Sequence, residues 1–335
     1  MAFPTAMAAV AVALCAAFAL AALGGAEAQQ LSPAYYDDSC PHVYDTVRRV
    51  IQEARASDPR ILASLLRLHF HDCFVNGCDA SLLLDETPTM RSEKEANPNK
   101  GSARGFPVVD DIKAALENAC PGVVSCADVL ALAAEVSVEL AGGPYWRVML
   151  GRTDGMAANF DGAQNLPNPT EPLNDLKQKF ADLGLDDTDF VALQGAHTIG
   201  RAQCRFFQDR LYNFSDTERS DPTLDRSYLA ALRESCPAAV SDNTCLNNLD
   251  PATPDTFDNR YYANILSNRG LLRSDQAMLS APEEGAVSTA PIVGRFANSQ
   301  VEFFQSFATA MVKMGNIAPM TGGLREVRRN CRVVN

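Results

Sequence analysis

Arg67 and His71 stand four residues apart at the end of an apolar run. On a helix, positions i and i+4 share a face, so a fixed positive charge sits beside a titratable imidazole. A neutral imidazole can take a proton from a substrate and return it, while a guanidinium can stabilise negative charge as it develops. Taken alone, such a pair is more often an ion-pairing arginine next to a core histidine. From Asp72 the chain continues Asp72-x-x-Val75-x-Gly77-x-Asp79-x-Ser81, with Cys73 and Cys78 close enough to staple the loop. Calcium takes roughly six to eight oxygens from carboxylates, hydroxyls and main-chain carbonyls. This stretch offers all three, although its spacing is not that of an EF-hand, and a disulfide-pinned polar turn fits equally well. His69-x-His71 could open a zinc-hydrolase motif, but no further histidine and acidic ligand set completes it.

The elements that must carry these groups read as mainly α. Asp58-Pro59 supplies an N-cap and a first-turn proline before the apolar run Ile61 to Phe70. Ser125 opens a run over Ala127 to Leu140 that stops at Gly142-Gly143. Thr170 opens a helix closing at Gly184, Thr188 one running to about Ala196, and Asp258 caps one stopping at Gly270. Ser299 to Met314 carries Val301, Phe304, Phe307, Ala308, Met311 and Met314 on one side and ends at Gly315. Gly155 to Pro172 and Ser235 to Thr256 read as loops rich in Pro, Asn and Asp. Sustained period-2 alternation is scarce, and no repeat or linker marks a boundary.

The composition agrees with a full-sized domain: 335 residues, 47% hydrophobic, with 29 Lys+Arg against 41 Asp+Glu for a net charge of −12. That excess of acid repels phosphate, which argues against nucleic acid or an anionic membrane as a partner. Residues 7 to 23 form an Ala/Leu/Val run ending at Gly24-Gly25 before Ala26-Glu27-Ala28, the pattern of a secretory signal peptide over residues 1–28. The segment lacks the usual Lys or Arg before its apolar run. No second apolar span follows, so no membrane segment is expected after its removal. Loss of Cys15 with the leader leaves nine cysteines, and an odd count in an exported chain implies a free thiol or an intermolecular bridge. Asn213-Phe214-Ser215 is a single glycosylation sequon.

Leu66-Arg67-Leu68-His69-Phe70-His71-Asp72-Cys73-Phe74-Val75-Asn76-Gly77-Cys78-Asp79-Ala80-Ser81 resembles the distal signature of the secretory plant (class III) haem peroxidases. The likeness continues through Glu93-Lys94, Asn99, Val124-Ser125-Cys126-Ala127-Asp128, Ala196-His197-Thr198-Ile199-Gly200, Ser274-Asp275-Gln276 and Asn330-Cys331-Arg332-Val333-Val334-Asn335. It covers essentially the whole of residues 29–335, and long motifs in the family's order are far more specific than any short pattern.

The resemblance implies a haem peroxidase fold, with one haem b between distal and proximal helical halves, and hydrogen-peroxide-dependent oxidation of small phenolic donors by successive one-electron steps. It makes His71 the acid–base group, Arg67 its charged partner and Asn99 the acceptor for His71 Nδ1. It makes His197 the iron ligand, and Asp275 the carboxylate behind it. Two calcium ions are implied, one held by Asp72, Val75, Gly77, Asp79 and Ser81, the other by Thr198, Asp250, Thr253, Thr256 and Asp258. Pro167 and Phe206 match the aromatic-donor site. The implied disulfides are Cys40–Cys120, Cys73–Cys78, Cys126–Cys331 and Cys204–Cys236, leaving Cys245 over, a departure from the family's pattern. His42 and His69 remain as structural histidines. A secreted monomer of the cell wall or extracellular space is expected, since the chain shows no vacuolar extension beyond Asn335. A calcium-stabilised, catalytically silent binding protein is the alternative; its sign would be loss of Arg67, His71 or His197, and all three are intact.

Overall fold

The structure is a computed structural model that describes residues 31–238, 245–280, 286–319 and 324–335. The expected signal peptide and Cys15 lie outside the described residues. Within them the chain forms thirteen α-helices and four strands of two or three residues, the mainly helical architecture that the sequence indicated.

The distal half is built from α1 (Val43–Ser57), α2 (Ile61–Asn76), α3 (Phe106–Ala119) and α4 (Cys126–Leu140). Helix α4 starts where its capping residue lies, the Ser125 hydroxyl accepting the Asp128 N–H at 3.1 Å. It is buried from Cys126 to Val138, and α1, α2 and α3 pack about it. In the first turn of α4, Asp128 accepts from Tyr36 Oη at 2.7 Å and pairs with buried Arg152 at 2.8 Å. Removing either member of such a buried pair typically costs about 3–5 kcal/mol, because a charge is left unpaired.

Helix α2 follows Asp58, whose carboxylate accepts the Arg60 N–H at 3.1 Å. It runs six residues past Phe70 and stops at Gly77, where φ is +80°. A Cβ on Gly77 would meet the Ala318 carbonyl oxygen at 2.5 Å, so both backbone angle and close approach require glycine.

The proximal half follows a short α5 (Phe160–Gln164) and comprises α6 (Leu173–Ala181), α7 (Asp187–Gln194), α8 (Gln208–Tyr212), α9 (Arg226–Ser235), α10 (Arg260–Leu266), α11 (Arg273–Ser280), α12 (Ala286–Asn298) and α13 (Gln300–Gly315). Several boundaries differ from the sequence reading. Helix α6 begins at Leu173, after Pro172, and ends at Ala181. Helix α7 is capped by Asp186, in a reciprocal pair with Asp189, in place of Thr188. Helix α10 ends at Leu266, four residues before Gly270. Helix α5 and β3 occupy stretches read as loops, and α12 carries Pro291 inside it. Helix α13 matches in its bounds, with the Ser299 hydroxyl accepting from Glu302 N–H at 3.2 Å, but Val301 is exposed and Phe303 takes its expected place on the buried side.

Strand β1 (Asp154–Gly155) pairs with β4 (Arg325–Glu326), and β2 (Arg201–Gln203) with β3 (Leu246–Asn248), both antiparallel. A main apolar core joins the two halves through Leu65, Leu130, Phe190, Tyr262, Phe303 and Phe307. A second cluster, including Phe207, Leu211, Leu232, Leu271 and Leu272, sits under α8 and α9. No described helix is long and apolar enough to cross a membrane.

All four cysteine pairs named from the resemblance are disulfides in the structure. Cys245 is free and half-buried just before β3, its carbonyl accepting the Cys204 N–H at 3.3 Å. Thiol titration of the mature chain unfolded without reductant should therefore find one thiol, which labels more slowly when native. Zero thiols would show that Cys245 is bridged.

Candidate active site

Helix α2 delivers Arg67 and His71 to one face, where a loop from Glu93 to Ser102 meets them. His71 is buried, and its Nδ1 lies 2.5 Å from Asn99 Oδ1. Asn99 Nδ2 donates to the Glu93 carbonyl at 2.8 Å, which fixes the amide so that its oxygen faces the imidazole. The Nδ1–H tautomer follows, leaving Nε2 as acceptor, and it accepts from Arg67 Nε at 3.1 Å. Glu93 is itself held by the Asn159 N–H at 2.8 Å.

Arg67 reaches no carboxylate through these contacts: it donates to the Pro98 carbonyl (2.8 Å), Ser102 Oγ (3.0 Å) and the Ser102 carbonyl (3.2 Å). Burial, with the nearby charge of Arg205, brings its pKa down to about 10, so it stays cationic at neutral pH. His71 is pushed down to about 3, by burial first and then by the charge of Arg67, against a smaller upward pull from Asn99. The imidazole is therefore neutral across the physiological range.

His69 points elsewhere. Its Nδ1 lies 3.6 Å from Cys73 Sγ, and burial takes its pKa down to about 3. Cys73 and Cys78 beside it are joined to each other and offer no thiolate, so the two histidines of His69-x-His71 do not converge on a metal.

On the proximal side, α7 tightens into a 3₁₀ turn, Gly195–Thr198, that presents His197. A Cβ on Gly195 would meet Tyr262 Oη at 2.3 Å and Phe303 Cε2 at 2.4 Å, so this turn lies against α10 and α13. His197 Nδ1 faces Asp275 Oδ1 at 2.8 Å, which orients the ring and leaves Nε2 available. Asp275 lies in the first turn of α11, fully buried, and its Oδ2 accepts the Leu272 N–H at 2.8 Å. Arg210 braces the preceding turn, donating to the carbonyls of Gly270 (2.6 Å), Leu271 (2.7 Å) and Leu272 (3.0 Å). The two halves meet at one edge, where Gln203 Nε2 donates to the Gly101 carbonyl at 2.9 Å and Arg205 to the Lys100 carbonyl at 3.2 Å.

The donor set suits a haem. An imidazole with a free Nε2 is backed by a carboxylate, as iron-ligating histidines usually are. Buried His71 lies beside the Arg67 guanidinium, whose hydrogen bonds reach no carboxylate.

Two oxygen clusters suit hard cations. Around α2's end, Asp72 Oδ1 and Ser81 Oγ are buried with no hydrogen-bond partner. Asp72 is pushed well up by burial and by Asp79, and Asp79 is raised by burial, which the charges of Arg325 and Arg328 nearby do not offset. Ala80, between Asp79 and Ser81, takes φ +59°. Behind His197, Thr198 Oγ1 lies 3.4 Å from Asp250 Oδ2, 3.4 Å from Asp258 Oδ1 and 3.5 Å from the Thr256 carbonyl. Thr253 Oγ1 is 3.4 Å from Asp250 Oδ2 and 3.1 Å from Asp258 Oδ1. These spacings are long for O–H···O bonds, but oxygens about 2.4 Å from one ion and at right angles stand roughly 3.4 Å apart.

Pro167 and Phe206 are both half-buried, on separate segments, with Arg205 stacked over the Phe206 ring at 4.6 Å. Asn213 is exposed in a turn. Residue type alone gave no signal for Tyr261, which donates to Asp275, for Arg210, or for Asn264, which donates to Asp250 Oδ1 at 2.8 Å. Each is visible only once the fold is closed.

A family model described as peroxidase matches residues 45–299. The chain is 54% identical over 317 residues to Peroxidase 54 of Arabidopsis thaliana, covering 94% of this chain and 87% of the relative. It is 56% identical over 308 residues to Peroxidase 15 of Ipomoea batatas (91% and 93% covered) and 54% identical over 308 residues to Peroxidase 37 of Arabidopsis thaliana (91% and 88%). With His71 and His197 each held by its own hydrogen-bond partner in a sequence that matches over this length, the chain belongs to the peroxidase family, in its class III plant branch, and is a hydrogen-peroxide-dependent peroxidase.

Proposed function

We propose that residues 29–335 form one haem peroxidase domain that binds one haem b between His71 and His197, holds two calcium ions, and oxidises small phenolic donors. The observation that carries the reading is the pair of locked tautomers: Asn99 holds His71 with Nε2 as base, and Asp275 holds His197 with Nε2 as ligand.

Bound haem supplies the two-electron chemistry that peroxide cleavage needs. The protein's part is proton movement and charge. His71 Nε2, neutral and turned by Asn99, takes the proton from hydrogen peroxide and returns it to the oxygen that leaves as water. Arg67, cationic and free of any carboxylate, stabilises the negative charge that grows on that oxygen. His197 would hold the iron through Nε2, and Asp275 strengthens it as an electron donor by accepting its Nδ1–H.

Asp72, Asp79 and Ser81, with the carbonyls of Val75 and Gly77, would hold the first calcium. Asp250, Asp258, Thr253, Thr198 and the Thr256 carbonyl would hold the second. Thr198 follows His197 directly, so the second ion would brace the turn carrying the ligand. Pro167 and Phe206 form the proposed donor contact, and exposed Asn213 the glycan acceptor. We place the mature chain outside the cell, as a monomer. Intact Arg67, His71 and His197 speak against a silent binding protein.

The pH profile of peroxide consumption with a phenolic donor tests the acid–base assignment. The base works deprotonated, so the rate constant should hold from neutral into acid and fall only near the low pKa of His71. Arg67→Leu removes a like charge and should move that acid limb part of the way back toward the ordinary histidine value of about 6.5. An acid limb already near that value in the parent, or unmoved in Arg67→Leu, would overturn the assignment.

A further inference from the structure

The carboxylate behind His197 serves two donors on a single oxygen. Asp275 Oδ1 lies 2.8 Å from His197 Nδ1 and 2.9 Å from Tyr261 Oη, and Oδ2 accepts the Leu272 N–H at 2.8 Å. Asp275 is fully buried and Tyr261 1% exposed, so water does not compete for these contacts. The Tyr261 ring stands edge-on to the imidazole, centroids 6.1 Å apart at 87°, which fixes the phenol beside the histidine.

We propose that Tyr261 is a positioning residue that limits how strongly His197 donates electrons to the haem iron. Hydrogen bonds to an ionised carboxylate are strong, and each one draws on the charge available to the others. With Tyr261 and His197 sharing Oδ1, the imidazole N–H meets a weaker base than it would alone. Less negative charge then passes to the ring and to its Nε2.

The adjacent tyrosine provides the control. Tyr262 is as fully buried, but its hydroxyl donates to the Val191 carbonyl at 2.9 Å and so ties α10 to α7 without touching Asp275. Two neighbouring tyrosines thus lose the same hydroxyl on replacement by phenylalanine, and only one loss reaches the carboxylate.

The proposal rests on the reading of His197 as iron ligand. Its test uses the haem-loaded mature chain, its Tyr261→Phe and Tyr262→Phe variants, and a chain with 3-fluorotyrosine placed at position 261. The readouts are the ferric/ferrous midpoint potential and the iron–histidine stretching frequency of the ferrous form. Tyr261→Phe should lower the potential and raise the frequency, because Asp275 then pulls harder on His197. Fluorotyrosine, a stronger donor of nearly unchanged size, should move both the opposite way and covers the case in which Tyr261→Phe folds poorly. Tyr262→Phe should match the parent. Parent values in both position-261 chains, or an equal shift in Tyr262→Phe, would overturn the proposal and leave His197 as ligand. A parent lacking any iron–histidine band would instead overturn the ligand assignment, and this proposal with it.

Discussion

Replacing His71 by alanine should leave haem binding intact and slow the reaction with hydrogen peroxide by at least ~10²–10⁴-fold, about 3–5 kcal/mol of barrier. The size follows from the number of tasks the side chain performs: it is both the group that takes the proton and the group that returns it. No other titratable side chain in the described site is neutral, buried and turned by a partner toward the same space. Arg67 cannot substitute, since it remains protonated even with its pKa brought down to about 10. Asn99→Val should give a smaller loss, because the base survives while its tautomer is no longer held. Stopped-flow mixing of each variant with peroxide, followed at the haem band, separates these cases. A His71→Ala enzyme reacting at the parent's rate would remove the residue from the reaction.

Calcium chelation should cost the largest share of stability. Each site saturated about a hundredfold above its dissociation constant contributes about 2.7 kcal/mol, so loss of two sites should lower Tm by on the order of 10 °C. The pH dependence distinguishes cation sites from ordinary polar loops. In the metal-free protein Asp72, Asp79 and Asp250 have pKa values raised by burial above their unfolded value. The folded state then binds more protons than the unfolded state, and metal-free stability falls as pH rises from about 4 through the raised values. Calcium favours the ionised carboxylates and opposes that fall. The gap in Tm between calcium-loaded and chelated protein should therefore be small in acid and widen toward neutral pH. Calorimetric scans over that range check it, and a gap absent at neutral pH would rule out both sites.

The sequence made the distal half more legible than the proximal half, for physical reasons. Arg67, His71 and the Asp72–Ser81 oxygens lie within one helix and the loop that ends it, where spacing translates directly into geometry. Helices α4 and α13 were readable because each opens on a serine whose hydroxyl caps it and closes near glycine. Helix α7 was misplaced by one cap, since Asp186, Asp187 and Thr188 all suit the position and only the reciprocal bond of Asp186 with Asp189 decides. Pro291 hid α12, which packs on α10, α11 and α13 despite a proline in its interior.

The proximal site is assembled from segments far apart in the chain. Asp275 meets His197 across 78 positions, and Thr198 meets Asp258 across 60. No periodicity links such residues, which is why resemblance, and not spacing, nominated them. Tyr261 and Arg210 escaped even that route. A tyrosine beside a second tyrosine and an arginine in a short helix look like core and surface until their partners on α11 and in the turn before it are known.

The account turns on a haem held between His71 and His197 in a chain that reacts with peroxide. Its most direct test is the visible absorption spectrum of the mature protein with haem, before and after one equivalent of hydrogen peroxide. An intense Soret band that shifts on peroxide addition in the parent, and is lost or displaced in His197→Ala, is the expected result. A colourless protein after haem addition, or a band that peroxide leaves unchanged, would contradict it.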